Sequence, residues 1–158
     1  MTVLSISKIL ARDRRQIWRV GADLNRAGQW VAGIAGVHFL RGQPAGLGGQ
    51  WRFQIKTEAG TQVVELEITE WLPGERFSLK PVRETGRIHG IELFQLIFDL
   101  SGPSARETIV NIQCEYEPLS KLGRIKNLTF LRRQYVAHLS QAIDALDRLA
   151  AQESPESN

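Results

Sequence analysis

The sequence contains little cysteine and little histidine, and these shortages exclude several kinds of site. Cys114 is the one cysteine among 158 residues, so neither an internal disulfide nor a cysteine-rich zinc or iron–sulfur site can form. The three histidines, His38, His89 and His138, show neither metal-ligand spacing nor a nucleophile–base pattern. We therefore expect no metal and no cofactor. His89, near the start of a predicted strand, is kept only as a candidate catalytic residue.

Long apolar runs are also missing. No stretch reaches the roughly 18 consecutive apolar residues that indicate a transmembrane helix. Residues 1–10 mix polar and apolar side chains, unlike the continuous apolar core of a signal peptide. The sequence thus predicts no transmembrane segment and a cytoplasmic location. The net charge of +3 is mild and the arginines are scattered among acids, so we expect no nucleic-acid partner.

The segment from Leu119 to Ala151 is predicted to form one long helix. Apolar residues recur there at spacings of three and four, which places them on one face. Nothing after Pro118 breaks a helix, and the polar residues 152–158 are predicted to be a flexible tail behind a single domain of residues 1–151. The predicted apolar face comprises Leu122, Ile125, Leu128, Leu131, Tyr135, Val136, Leu139, Ile143, Leu146 and Ala150.

One charged residue falls near the centre of that apolar face. Arg132 lies between Leu128 and Val136 on a helical projection, with Thr129 nearer the edge. Burial of an unpaired guanidinium is costly, so Arg132 must meet an acid, a ligand or water. Its stem can pack while its head reaches solvent. Alternatively, the helix crosses a cavity and Arg132 points into it.

The rest of the chain is predicted to consist mainly of short strands. After a first strand, Thr2 to Ala11, Asp13 and Gln16 form a variant capping box that opens two short helical segments leading to Trp30. Alternating apolar residues then indicate strands at 37–40, 51–56, 64–69, 76–80, 88–100 and 108–116.

These elements predict an α+β fold in which a curved antiparallel sheet of about seven strands wraps around the long C-terminal helix. The concave side of such a sheet is wider than one helix, so side chains or a ligand must fill the space between them. The glycine-rich segment 42–49 lacks the Gly-Lys-Ser/Thr ending of a phosphate loop. We expect a tight or mobile connection there, or a flap over a pocket mouth.

Several short pieces match one family pattern in order and spacing. They are Ile9–Arg12, Ile17–Trp18, Asp23, Trp30, Gly46–Gly48, and Phe98–Leu100 with Thr108–Val110; Arg12 stands where the pattern usually has proline. Through them residues 3–150 resemble the START-like, helix-grip (SRPBCC) superfamily. The nearest branch is that of the polyketide cyclase/dehydrase and coenzyme Q-binding-like proteins.

The resemblance implies a largely apolar cavity between sheet and helix, and hence binding or transport of a hydrophobic small molecule such as a lipid, quinone or polyketide. Because this superfamily hosts carriers, cyclases, hydrolases, receptors and chaperone-like regulators, the fold alone does not select a function. The residues expected to line the ligand site are Trp30, Trp51, Phe53, Phe77, Phe94, Phe98, Thr108, Tyr116, Ile125, Thr129, Arg132 and Val136.

An aromatase, cyclase or dehydratase is the first alternative. Glu92 shares strand parity with Phe94 and Phe98, and with Arg132, Tyr116 and His89 it could do acid–base work inside the cavity. Glu92 could equally lie at an exposed strand end, and Tyr116 could be a core tyrosine with its hydroxyl at the rim.

A protein-interaction module of the same fold is the second alternative. Ile91, Leu93 and Ile97 occupy the other face of the predicted 88–100 strand, where they could form a sticky surface or a dimer contact. We expect a monomer or a weak homodimer.

Overall fold

The computed structural model describes residues 1–58, 60–83, 85–88, 90–126 and 132–153. The strands are β1 Thr2–Leu10, β2 Ile34–Arg41, β3 Gln50–Thr57, β4 Gly60–Leu72, β5 Arg76–Pro81, β6 Arg87–Ile88, β7 Ile91–Ser104 and β8 Glu107–Pro118. The helices are α1 Arg14–Gly21, a 3₁₀ helix Leu24–Gln29, α2 Lys121–Lys126 and α3 Arg132–Gln152. Predictions that concern His89, Leu128, Thr129, Leu131 and residues 154–158 lie outside the described residues.

The strands form one antiparallel sheet in the order β1-β8-β7-β5-β4-β3-β2, and β6 pairs with β7 beside this path. With two short helices after β1 and a long helix at the end, this architecture confirms the predicted α+β helix-grip fold. The predicted strand 88–100 is divided, because Arg87 and Ile88 pair back onto Glu92 and Ile91. Gly90, at φ +85°, supplies a left-handed backbone conformation at that reversal.

Helix α1 rests closely on the inner face of the sheet. The Asp13 carboxylate caps the helix by accepting a hydrogen bond from the Arg15 backbone N–H at 2.7 Å. Ile17 and Val20 are fully buried beneath it. At Gly21, a Cβ atom would lie 2.6 Å from Cζ of Phe98, so only glycine allows this approach.

Helix α3 is attached to the rest of the molecule by its C-terminal half. Buried Ala142, Ile143, Leu146 and Ala150 face the interior there, as the apolar periodicity predicts. Polar contacts hold the same half: Lys8 to Asp144 at 2.8 Å, Arg12 to Asp147 at 2.6 Å, Arg26 to Glu153 at 2.7 Å, and the Gln16 amide to the Ala150 carbonyl at 2.6 Å.

The N-terminal part of the predicted helix differs from the prediction. Leu122 and Ile125 lie on α2 and are 61% and 65% exposed, and Val136 on α3 is 36% exposed. The apolar periodicity therefore continues past the point where the protein interior ends.

The glycine-rich segment is a tight connection tied to β4. The Gly48 N–H donates to the Ile68 carbonyl at 2.8 Å, and the Ile68 N–H donates to the Gly49 carbonyl at 2.8 Å. Gly42 has φ +84°, and a Cβ at Gly49 would overlap the Gln43 carbonyl oxygen, so both positions require glycine. A role as a flap stays a prediction.

Candidate ligand-binding cavity

A cavity of about 200 Å³ lies between the concave face of the sheet, the 3₁₀ helix and α3. All the side chains that border it are apolar among the residues that the structure describes. The sheet contributes Ile34, Phe53, Ile55, Val64, Leu66, Phe77, Leu79, Leu93, Leu96, Ile97, Phe98 and Ile112, and the helices and the turn after the 3₁₀ helix contribute Leu24, Ala27, Trp30, Val31, Leu139 and Ala142.

Aromatic rings build one wall of this cavity. Phe77 and Phe98, paired across β5 and β7, stack with centroids 5.0 Å apart and an interplanar angle of 21°. Trp30 leans against Phe98 at 6.0 Å, and Trp18 contacts Phe77 edge-on at 5.9 Å. Offset-stacked and edge-on contacts of this kind stabilise the packing of the rings along this wall.

Four of the predicted ligand residues border the cavity: Trp30, Phe53, Phe77 and Phe98. Trp51 is buried too, but it borders a separate surface pocket with Trp18, and its indole N–H donates to the Pro44 carbonyl at 3.2 Å. The aliphatic neighbours Ile55 and Leu79 share strand parity with Phe53 and Phe77. That alternation is the sequence signal that could have added them to the predicted lining.

A β-bulge in β7 corrects the predicted positions of Phe94 and Glu92. Leu93 pairs with Tyr116 and Gln95 pairs with Glu115, so Phe94 is an extra residue and the side-chain alternation reverses there. Leu93 is consequently buried in the cavity wall with Phe98. Glu92 lies on the opposite face of the sheet, beside Glu117.

The buried hydroxyl residues of β8 lie apart from the cavity lining. Thr108 is fully buried, and its hydroxyl donates to the Arg12 carbonyl at 2.8 Å, which ties β8 to the start of α1. Tyr116 is 1% exposed and meets the ring of Tyr135 edge-on at 5.4 Å. Both residues therefore serve as core and connecting residues in this structure.

The predicted helix residues that the structure describes, Ile125, Arg132 and Val136, are not among the cavity-lining residues either. Arg132 is exposed as the first residue of α3, and Ile125 and Val136 are exposed as well. Leu139 and Ala142 occupy the position along the helix that Arg132 was expected to take. The described residues thus do not gather Glu92, Tyr116 and Arg132 around one cavity.

Two titratable groups near Tyr116 are shifted by burial. Burial and the nearby Glu115 charge raise the pKa of the Cys114 thiol to about 12. Burial and Cys114 raise the pKa of the Tyr135 hydroxyl. Both groups are neutral at physiological pH, which suits an apolar interior.

The Trp30 indole N–H has no hydrogen-bond partner in the described structure, although the atom is buried. The backbone of the same residue is fixed, since its N–H donates to the Ala27 carbonyl at 3.3 Å. Trp30 is 8% exposed and borders the cavity. The indole ring thus contributes apolar surface to the cavity, and its N–H is buried away from the cavity surface.

The described residues contain no cluster of histidine, cysteine, aspartate and glutamate side chains that could hold a metal ion. None of their helices combines the length and hydropathy that crossing a membrane requires.

Comparison with solved structures places this architecture among known folds. A START superfamily protein from Mycobacterium smegmatis aligns with a TM-score of 0.69 and 14% identity over 93% of this chain and 98% of its own. The Zhui aromatase/cyclase from Streptomyces sp. R1128 aligns with a TM-score of 0.69 and 11% identity over 96% and 94%. The di-domain aromatase/cyclase BexL of the BE-7585A biosynthetic pathway gives 0.70 and 12%, over 94% of this chain and 46% of BexL.

No family model matches the chain, and no curated protein matches its sequence. Identities of 11–14% establish a shared fold and leave activity open. The sheet order, the C-terminal helix and these alignments agree with the resemblance seen in the sequence, and the chain has the START-like helix-grip fold.

Proposed function

We propose that this protein binds a hydrophobic small molecule in the cavity between sheet and α3. The observation that carries the proposal is a cavity of about 200 Å³ whose described lining side chains are all apolar. At about 24 cal/mol per Å³, an empty cavity of that volume forfeits up to about 5 kcal/mol of stability. Because whole domains are stable by only about 5–15 kcal/mol, a ligand that fills the space offers a better explanation than imperfect packing.

The volume indicates the size of the enclosed part of the ligand. An engineered apolar cavity of about 150 Å³ in another protein binds benzene. A somewhat larger cavity accommodates one or two fused rings or a short branched chain. The ring or isoprenoid portion of a quinone, the ring of a polyketide, or part of a lipid chain all satisfy this limit.

The enzyme alternative lacks a catalytic set at the cavity. Acid–base catalysis needs a titratable group within hydrogen-bond reach of the reacting atoms. The described cavity lining contains none, and Glu92 lies on the other face of the sheet. The fold shared with aromatase/cyclases does not change this, since their low identity carries no residue role over to this chain.

The interaction-module alternative loses part of its support. Leu93, which was expected to lie on a sticky outer surface, is buried at the cavity instead. Ile97 alternates with the inward-facing Leu96 and Phe98 and is half-buried.

Extraction of the purified protein with organic solvent, followed by mass spectrometry, tests the proposal. We expect an apolar compound that copurifies with the protein and is absent from a matched extract of a control protein from the same host. If no compound copurifies and the stripped protein binds neither tetralin nor other two-ring hydrocarbons at micromolar concentration, the proposal fails.

A further inference from the structure

The segment from residue 118 to residue 143 differs in charge from the rest of the chain. It contains five basic residues and no aspartate or glutamate, whereas elsewhere the cations are interspersed with acids. Because these five charges exceed the net charge of +3 of the whole chain, the remainder of the chain is net negative. The basic residues are Lys121, Arg124, Lys126, Arg132 and Arg133.

The described parts of this segment come together at the C-terminal end of β8. Helix α2 follows directly after Pro118, the last residue of β8. Helix α3 is held at the same place by Tyr135, whose ring meets that of Tyr116 at 5.4 Å. Arg132 and Arg133 lie within one helical turn of Tyr135. Both parts of the segment therefore lie at one corner of the molecule.

Apolar and basic side chains are exposed together at this corner. Three apolar residues, Leu119, Leu122 and Ile125, are 47%, 61% and 65% exposed, and Lys121, Arg132 and Arg133 are exposed as well. We call these six residues the basic apolar patch. The ion pairs formed among the described residues include none of its three cations. Aliphatic side chains in water beside such cations favour an external partner.

We propose that the basic apolar patch docks on the surface of an anionic lipid bilayer. Each Lys or Arg close to such a surface strengthens binding by about fivefold. Leu122 and Ile125 would enter the boundary between the headgroups and the acyl chains, as the apolar residues of a basic amphipathic segment do. Nucleic acid attracts the same cations, but its phosphate backbone offers nothing to exposed leucine and isoleucine. The inference goes beyond the proposed function, since it does not depend on what the cavity holds.

Flotation with lipid vesicles tests the contribution of charge. We expect the protein to bind phosphatidylcholine vesicles that contain about 30% phosphatidylglycerol at least about tenfold more tightly than vesicles of phosphatidylcholine alone. The double substitution Arg132→Gln and Arg133→Gln should weaken binding to the anionic vesicles by about tenfold to thirtyfold.

A matched double substitution, Arg14→Gln and Arg106→Gln, controls for net charge. Both residues are exposed and lie at the opposite end of β8 from the patch. Arg106 is in the turn between β7 and β8, and Arg14 borders a surface pocket with Ser101 at the end of β7. This control should change the affinity for anionic vesicles by less than about threefold, since its cations do not face the bilayer.

A second pair of variants tests the contribution of the apolar residues. Leu122→Ser with Ile125→Ser should weaken binding to anionic vesicles by at least about fivefold, because two side chains no longer enter the bilayer. Ile9→Ser with Leu47→Ser is the control, since these residues are 64% and 67% exposed and lie outside the segment. It should leave the affinity unchanged.

Each other outcome overturns the inference. The inference fails if anionic vesicles are not bound, if neutral vesicles bind equally well, or if both arginine variants lose equal affinity. It also fails if the Leu122 and Ile125 variant binds vesicles as the wild type does while a short DNA duplex displaces them, which would identify a polyanion partner. Circular dichroism and urea unfolding check that the variants, all at exposed positions, are folded. Tetralin binding without vesicles tests the proposed function separately.

Discussion

Gly21 lets α1 approach the sheet closely. A methyl group there would lie 2.6 Å from Cζ of Phe98. The Phe98 ring is 4% exposed and stacked on Phe77, so a displacement of the ring would break that contact. The absence of a side chain at Gly21 therefore allows the short distance between α1 and the Phe98 ring, which forms part of the cavity wall.

Gly21→Ala is expected to destabilise the protein by about 1–3 kcal/mol, the usual cost of overpacking a core. Gly28→Ala is the control, since Gly28 is exposed and its Cβ would meet nothing closer than the Ile34 carbonyl at 3.4 Å. Both changes reduce the entropy of the unfolded chain alike, so the difference between them isolates the clash. Urea unfolding measures both; equal stabilities would contradict the close approach.

Cys114 should make stability depend on pH in the alkaline range. Its pKa is about 12 in the folded protein against an ordinary value of 9.0, so the unfolded chain loses the thiol proton first. Stability is then intact below about pH 9 and falls as the pH rises from about 9 to 12, by at most about 1.4 kcal/mol per pH unit for one group. The raised pKa of Tyr135 acts in the same direction.

Cys114→Ala should flatten this alkaline loss, whatever its effect at neutral pH. Chemical unfolding at pH 7, 9, 10 and 11 gives the slopes for the two proteins. Parallel slopes would mean that the Cys114 thiol does not titrate differently on folding.

Single residues also show where sequence reasoning succeeds and where it stops. Alternation along β3 and β5 correctly places Phe53 and Phe77 on the inner face, because side chains on a regular strand alternate strictly. Along β7 the same rule misplaces Glu92, because the bulge at Phe94 inserts one residue. No local residue pattern marks that bulge; it arises from pairing with β8, which lies far away in sequence.

At the scale of elements, α3 is a helix with two different halves. Its C-terminal half carries the buried apolar residues and the ion pairs to Lys8 on β1 and to Arg12 in the loop that follows β1. Its N-terminal turns carry exposed Arg132 and Val136. The apolar periodicity predicts a helix, because positions i, i+3 and i+4 share a face in any helix. The periodicity could not show where along the helix the contact with the sheet ends, because that depends on the curvature of the sheet.

Leu146→Ala should cost about 2–5 kcal/mol, since Leu146 is fully buried. The same substitution at Leu122, which is 61% exposed on α2, should change stability by about 0.5 kcal/mol or less. Thermal and chemical unfolding of the two variants compare them directly. A large loss at Leu122 would show that this side chain is covered in solution, contrary to the structure.

At the scale of the whole molecule, the order of predicted strands and helices along the sequence was the best indicator of the fold. Short alternating segments followed by one long amphipathic segment predict a sheet that packs on a helix, and the observed strand order confirms that expectation. The cavity depends on how tightly side chains from separate strands fill the concave face. Sequence pattern cannot settle that, because packing is decided jointly by residues that are distant in the chain.

Filling the cavity tests most directly whether it is a binding site. Val64 borders the cavity and is 2% exposed, whereas Val63, the preceding residue in β4, faces outward and is 46% exposed. Calorimetric titration with tetralin should show at least a tenfold loss of affinity in Val64→Phe, because the added ring occupies the void, and unchanged affinity in Val63→Phe. Wild-type affinity in a well-folded Val64→Phe variant would contradict binding in this cavity.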